Sequence, residues 1–565
     1  PYKMMKKLML LSLQMMFFTF FAFAQTREAA PLQKDTVPNN WYQLDPATSG
    51  FQGVSIDKAY SFLKSTKLKS KKVIVAVIDS GIDTTHEDLK PVLWTNPGEI
   101  AGNGIDDDKN GYVDDVHGWN FLGGKDGRNV KDDSYEASRV YHLLKAKYGD
   151  KTIDLTTLSA EDKAEYETYL RAKESVTKNV DENEIAFMKQ IRTPLLQGDS
   201  VIRKELGKEV YTCNDLKNYK TTNKAALQTR SMLMGLCGAN KSDDLSNEMV
   251  LDDLNAQIRK GDEVNTAPPA YRGDIVKDNE NDINDRFYGN NDLMASTPFH
   301  GSFCAGIIAA AHNNNDKLNG IADNVEIMAI RAVPNGDEHD KDIALAIKYA
   351  VDNGAKVINM SFGKSFSPQK KWVDDAIRYA NSKGVLLVHA AGNDSKNIDT
   401  ENNFPNPVYA DNSGRAENYI SVGASGDKKS GGLIASFSNY GKKEVDVFAP
   451  GVQIFSTTPF NNSYGKSQGT SFAAPIVTGI AALILEYYPS LSPLQVKAAI
   501  ENSVAPIKEK VKNPETGEMV EMETLSRTGG VVNAYTAVKN ASEMAATPNP
   551  QFKLPKSTIK KNKKG

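Results

Sequence analysis

The sequence predicts an α/β fold, a three-layer sandwich in which a mostly parallel central sheet carries helices on both faces, with a helical insertion added to it. Three observations lead there. From Ile321 onward, strand and helix patterns alternate through short Gly-containing turns: Val325–Val333 as strand, Asp342–Asn353 as helix, Val357–Met360 as strand, Trp372–Ser382 as helix and Val385–His389 as strand. The run from Val73 to Asp79, VIVAVID, is apolar and β-branched without alternation, which marks a strand buried on both faces and therefore a parallel one. Between them, 131–270 reads as helix: Glu136 to Lys147 has helical spacing, and Ser159 with Asp162 gives a capping-box-like start to a longer helix carrying Tyr166, Tyr169, Leu170 and Val176. Leu491 to Asn502 and Gly529 to Ala541 are predicted as closing helices.

The chain has 565 residues, about 40% of them apolar and 25% charged, enough for one large core or two modest ones. A net charge of −3 gives no reason to expect nucleic acid. Met4 to Ala24 combines a Lys pair, an apolar run and an Ala22-Phe23-Ala24 ending, so 1–24 is expected to be a secretory signal with Gln25 as the first mature residue. A retained anchor is the rival; the run is short for a spanning helix without a stop-transfer flank, so no stable membrane span is expected in the mature form. Export to a periplasm, the cell surface or the medium follows, without a choice among them. The polar, Pro-containing 25–40 reads as linker, and 546–565, basic and Lys-rich, as a disordered tail. Nothing here bears on oligomeric state.

Candidate chemistry lies in three stretches. Gly469 to Pro475, GTSFAAP, puts Ser471 before a dense apolar run, near a helix N-terminus whose free N–H groups favour developing negative charge. By itself such a segment is also an ordinary N-cap. Val73 to Gly81 ends its strand in Asp79, at the sheet edge where open α/β folds hold catalysts and ligands. His300 to Gly306, HGSFCAG, starts a helix rich in small residues.

Together, and in the order Asp, His, Ser, these stretches resemble the signature segments of the subtilisin-like serine proteases, the subtilases. The resemblance covers most of Val73 to Gly123 and Tyr288 to Ala541, with Ser302, Phe303 and Cys304 where the family usually shows Thr, His and Val. A fourth stretch, HAAGND, has Asn393 where the family keeps a side-chain donor for its oxyanion hole. The resemblance implies a subtilisin-like sandwich over 41–130 and 271–545, interrupted by the insertion at 131–270. It implies Ser471 as nucleophile, His300 as base and acid, Asp79 as its orienting partner and Asn393 as oxyanion donor. Ser361, Phe362 and Gly363, with Ala390, Ala391 and Gly392, match the segments that line the substrate channel, so protein or peptide substrates are expected to pair there as an added strand. Trp41 to Lys72 is too short for the family's usual pro-domain and is expected to stay with the folded domain.

Calcium is the expected cofactor. Asp88 matches a calcium ligand of the family, and in NGIDDDKNGYVDD the residues Asp106, Asp108, Asn110, Tyr112 (through its carbonyl) and Asp114 alternate around Gly111, as oxygen ligands of a cation-wrapping loop do. The bidentate Glu at position 12 is missing, and a solvated acidic turn is the alternative. DNENDINDRFYGNND is a weaker second candidate, and the HNNND loop near Asn314 matches the family's calcium loop in position with an extra residue. Cys213 and Cys237 are able to pair, and Cys304 and His389 read as buried structural residues. The expected activity is that of a secreted serine endopeptidase. The alternatives are a catalytically silent subtilase-like binding protein, and an esterase, which the lack of a G-x-S-x-G elbow around Ser471 disfavours. The insertion is either a packing appendage or a device that restricts access to the cleft.

Overall fold

The computed structural model describes residues 37–547 except 150, 179, 241–244, 296–297 and 313–317. The predicted signal, most of the linker and tail, and the HNNND loop lie outside the described residues.

A nine-stranded sheet organises the molecule, in the order β10-β13-β7-β6-β5-β4-β1-β3-β2. Its strands are β1 (Val73–Asp79), β2 (Gly118–Asn120), β3 (Val325–Arg331), β4 (Val357–Met360), β5 (Leu386–Ala390), β6 (Tyr419–Ser425), β7 (Val447–Pro450), β10 (Ala505–Pro506) and β13 (Gly530–Val531). All pairings are parallel except that of β10 with β13. The apolar run of β1 is explained by its two faces. Val73, Val75 and Val77 enter one core, and Ala76 and Ile78 enter the other. Each of the valines and the isoleucine, fully buried, contributes about 1.5–3 kcal/mol.

The helices, numbered along the chain, are α1 (Ile56–Thr66), α2 (Glu136–Tyr148), α3 (Ala160–Thr177), α4 (Glu182–Leu206), α5 (Cys213–Lys217), α6 (Lys224–Asn240), α7 (Asn247–Asp262), α8 (Phe299–Ala309), α9 (Asp340–Asp352), α10 (Lys370–Ser382), α11 (Thr470–Tyr487), α12 (Pro493–Glu501) and α13 (Ala534–Ala546). Residues of α8, α11, α12 and α13 pack on one face of the sheet, and those of α9 and α10 on the other. Helix α11 is long and apolar enough to cross a membrane, yet 89% of it is buried inside the protein, as befits a core helix.

Two predicted boundaries move. The linker was drawn through residue 40, but Val37 is 2% exposed and packs in the first core with Trp41 and Tyr42. Trp41 Nε1 donates to the carbonyl of Gln453 and the Tyr42 hydroxyl to that of Phe455, so this arm is stitched onto the main domain. The last predicted helix begins later than Gly529, because Gly530 and Val531 pair with the sheet as β13 before Asn533 caps α13.

Helices α2 to α7 occupy 131–270 and carry apolar clusters of their own. A disulfide joins Cys213 to Cys237, tying α5 to α6. The insertion meets the core through buried charge: Lys364 Nζ pairs with Glu136 at 2.8 Å and Asp340 at 2.9 Å, while Arg139 pairs with Glu136 and Asp133.

Arg331 ends β3 opposite Asp79 and is fully buried. Its guanidinium donates to the carbonyls of Ser80, Ala295 and Val130 and to Asn120 Oδ1. Replacing it with Met strands these acceptors, and the expected loss is at least about 3 kcal/mol of unfolding free energy, read from denaturant midpoints. An unchanged midpoint would mean that the knot around Arg331 bears no strain of the fold.

Candidate active site

Asp79 sits at the C-terminal end of β1, and His300 in the first turn of α8. Gly301 allows them to meet: a Cβ there would stand 2.1 Å from the carbonyl oxygen of Gly81 and 3.1 Å from Asp79 Cβ, so only glycine lets α8 approach this closely. His300 Nδ1 donates to Asp79 Oδ1 at 2.8 Å, and the same oxygen accepts the Ser80 N–H at 2.7 Å. Asp79 is 2% exposed, whereas the His300 side chain keeps 33%, enough for a substrate to reach its ring. Burial disfavours a charged imidazole, but the charge and hydrogen bond of Asp79 more than offset it, so the His300 pKa lies above its ordinary value. With Nδ1 committed to Asp79, Nε2 is the atom left to take up a proton.

Ser471 stands at the start of α11, beside this pair. The ring of Phe472, the next residue, lies 5.3 Å from that of His300. The Ser471 carbonyl accepts from Ser361 Oγ at 2.8 Å and from Cys304 Sγ at 3.4 Å, which ties the helix start to β4's exit and to α8. Asn393 completes the group. Its Oδ1 accepts from the backbone N–H and the hydroxyl of Thr470, both at 2.9 Å, which turns its amide nitrogen the other way. A Cβ built on Gly469 would lie 3.6 Å from Asn393 Nδ2 and 3.7 Å from the Ser471 nitrogen, so both nitrogens border the space that this glycine leaves open.

Residues 70–531 match the Subtilase family of S8 peptidases. The chain belongs to that family. It is 40% identical to a thermophilic serine proteinase of Bacillus sp. strain AK1 over 36% of this chain and 46% of that one. Thermitase of Thermoactinomyces vulgaris is 36% identical, over 47% of this chain and 85% of its own. Subtilisin DY of Bacillus licheniformis is 39% identical, over 36% and 69%. The chain thus spans about half of the first of these relatives and most of the other two.

In this subtilase the departures in the His segment have structural work. Ser302 Oγ accepts the Asp83 N–H, and Phe303 packs on Phe472 with ring centroids 4.4 Å apart. Cys304 is fully buried and its thiol is pushed well above its usual range, by burial and by Asp79. His389 is also buried, which lowers its pKa to about 4, and its Nε2–H donates to the Phe362 carbonyl. It braces the channel as a neutral ring. Of the predicted channel residues, Ser361, Phe362 and Gly363 line a cavity of about 340 Å³ that also contains Asp79 and His300. Ala390 and Ala391 are buried, so they have backbone rather than side chains to offer.

The acidic loop divides its predicted ligands. Asp106 and Asp108 bring carboxylate oxygens within 4.8 Å of one another and of Glu99, a residue that loop spacing did not single out. Asp114 faces elsewhere: with φ at 53° it closes a turn, its Oδ1 accepting the N–H groups of Gly102 and Asn103 and its Oδ2 that of Gly104. Asn110 Oδ1 accepts the Tyr112 N–H, and the Tyr112 ring is buried in the second core. Asp88 Oδ2 accepts the Tyr464 hydroxyl at 2.7 Å.

Sequence reasoning missed Thr470, which lies inside the quoted GTSFAAP but was given no role, and Gly301, whose signal was its place directly after His300. Replacing Asp79 with Asn leaves burial alone acting on His300. Its pKa is then expected to fall below the ordinary 6.5, read by NMR titration of isotopically labelled histidines. A titration unchanged by the substitution would contradict the pairing.

Proposed function

We propose that this subtilase is a secreted, calcium-supported serine endopeptidase. The observation that carries the reading is the Asp79–His300 hydrogen bond at the foot of α11, with the Asn393 and Ser471 nitrogens bordering the space left by Gly469. Ser471 Oγ attacks the scissile carbonyl while His300 Nε2 takes its proton. Asp79 holds the ring in the Nδ1–H tautomer and stabilises the imidazolium that forms. The oxyanion is met by Asn393 Nδ2 and the Ser471 N–H, and Thr470 keeps the Asn393 amide facing it. His300 then donates its proton to the leaving amine, and water repeats the cycle on the acyl-enzyme. An extended peptide pairs along Ser361–Gly363. Secretion is supported by the 1–24 segment, and a relative 34% identical, from Xanthomonas campestris, is named an extracellular protease.

Calcium is supported by the chemistry of the donor set: Glu99, Asp106 and Asp108 are hard oxygen ligands that converge without a paired Lys or Arg among the described residues. When bound, the ion would neutralise this loop and hold it folded. Chelation is expected to lower the unfolding temperature of the wild type, and Asp106→Asn with Asp108→Asn to remove that dependence; equal melting with and without chelator would dismiss the site.

Activity is tested by labelling with a fluorophosphonate probe and by peptide hydrolysis. Ser471→Ala should abolish labelling and lower kcat by at least about 10³-fold. Asn393→Ala should lower kcat by about 10²-fold with KM little changed, a size taken from the same donor in a subtilisin. Because His300 acts as base when neutral and its pKa is raised, kcat/KM should fall on acidification at a pH above 6.5. A folded wild type that neither labels nor cleaves would instead be a binding protein.

A further inference from the structure

The cavity beside His300 has one wall that the central sheet does not supply. Glu248, Met249 and Asp252, from the N-terminal half of α7, face Ser361–Gly363 across it. Glu248 and Asp252 stand one helical turn apart, so their carboxyl groups share a face of the helix. The far end of the wall is Glu338, 2% exposed, whose Oε1 has no hydrogen-bond partner. With Asp79, the lining holds four carboxyl groups and, among the described residues, no lysine or arginine. Asp79 is engaged by His300, and Asp252 by Lys131 at 3.4 Å. Among the described residues no ion pair forms at Glu248. Burial, reinforced by Asp252 and opposed by Lys131 and Arg203, raises the Glu248 pKa to about 7; burial, opposed by Lys364 and reinforced by Asp337, raises that of Glu338 to about 8. In both, burial outweighs the cations nearby.

We propose that the insertion, through Glu248 and Asp252 acting with Glu338, makes the cleft selective for peptide substrates carrying a lysine or arginine side chain near the scissile bond. The proposal rests on the endopeptidase reading above. The shape of the site suits such a side chain. Met249, 41% exposed, and Phe362 offer apolar surface for an aliphatic stem, and the carboxyl groups lie beyond it for the charged end. A metal ion fits less well, because the three carboxyl groups do not gather within 4.8 Å of one another, as those of Glu99, Asp106 and Asp108 do. The wall is also held in place. Arg259, on the same helix, pairs with Asp132 at 2.9 Å and donates to the Asn335 carbonyl at 2.9 Å, clamping α7 to the segment that leads into Glu338.

The test is a set of internally quenched peptides in a neutral background, with one Lys scanned over four positions on each side of the scissile bond and norleucine at the same position as comparator. At one or two positions the wild type should cleave the Lys peptide with kcat/KM at least tenfold above its norleucine twin. That ratio should fall below threefold in the Glu248→Gln, Asp252→Asn double variant, and Glu248→Lys should turn the preference toward Glu. Raising the salt from 50 to 500 mM should shrink the wild-type ratio without any mutation. A ratio near one at every position, a ratio unchanged in the double variant, or one indifferent to salt overturns the proposal. Fluorophosphonate labelling run in parallel separates the two readings: a labelled enzyme without Lys preference sinks the selectivity alone, and an unlabelled wild type sinks the endopeptidase reading beneath it.

Discussion

A buried guanidinium with no carboxylate bonded to it among the described residues organises the C-terminal end of the sheet around Asp79. Arg331 is surrounded by carbonyl oxygens and one side-chain amide, each drawn from a different stretch: the turn after Asp79, the approach to His300, the end of β2 and the entry to the insertion. Taking such a charge out of water is costly, and burial lowers its pKa to about 10, still far above neutrality. The charge is therefore kept, and it holds four chain segments together through three backbone carbonyls and the Asn120 side-chain oxygen. Asp79 and His300 are far apart in sequence and meet because the two segments delivering them end in the same knot.

A second polar seam decides where the insertion sits. Lys364 directly follows the channel segment Ser361–Gly363, and its ammonium is buried between Glu136 of α2 and Asp340 of α9. Glu136, despite burial, is held well below the ordinary carboxylate range by Lys364 and Arg139. Buried pairs of this kind add little net stability over apolar packing, but they admit few alternative geometries. The insertion's apolar clusters lie mostly within 131–270, with Phe366 of the core packed into one of them, and the buried ion pairs fix how it is oriented against the sheet. Because one lysine is shared by the channel's end and the insertion's first helix, the cleft wall built by α7 is referred to the same frame as the substrate segment.

Much of this was legible in the sequence, and the boundary has a physical reason. The parallel strands were readable because burial on both faces erases alternation, and the Asp, His, Ser and Asn segments because together, and in order, they resemble the signature segments of the subtilases. The Arg331 knot was not, since its acceptors are mostly backbone carbonyls, which leave no trace in residue type. The acidic loop lies between these cases. Alternating spacing identified the oxygen-bearing residues, but the direction each carboxylate faces follows from local φ, and Asp114 in a left-handed conformation turns to cap backbone N–H groups while Glu99 comes in from upstream. Residues 37–40 read as linker because polarity dominates there; the burial of Val37 depends on a partner surface distant in sequence.

The titratable groups around α11 show how environment sorts chemistry. His300, His389 and Cys304 are all close to the sheet's C-terminal end, and a list of reactive side chains would treat them alike. His389 has only a carbonyl to bond, so burial prevails and it stays neutral. Cys304 has the Ser471 carbonyl as acceptor and Asp79 as a nearby negative charge, so both burial and charge favour the thiol over the thiolate. His300 alone combines an opposing charge with an open ring face, and it alone gains a proton affinity above the ordinary range while remaining reachable. The same Asp79 that raises the His300 pKa also raises that of the Cys304 thiol, so one carboxylate favours the protonated form of both groups, and of the two only His300 is reachable from solvent.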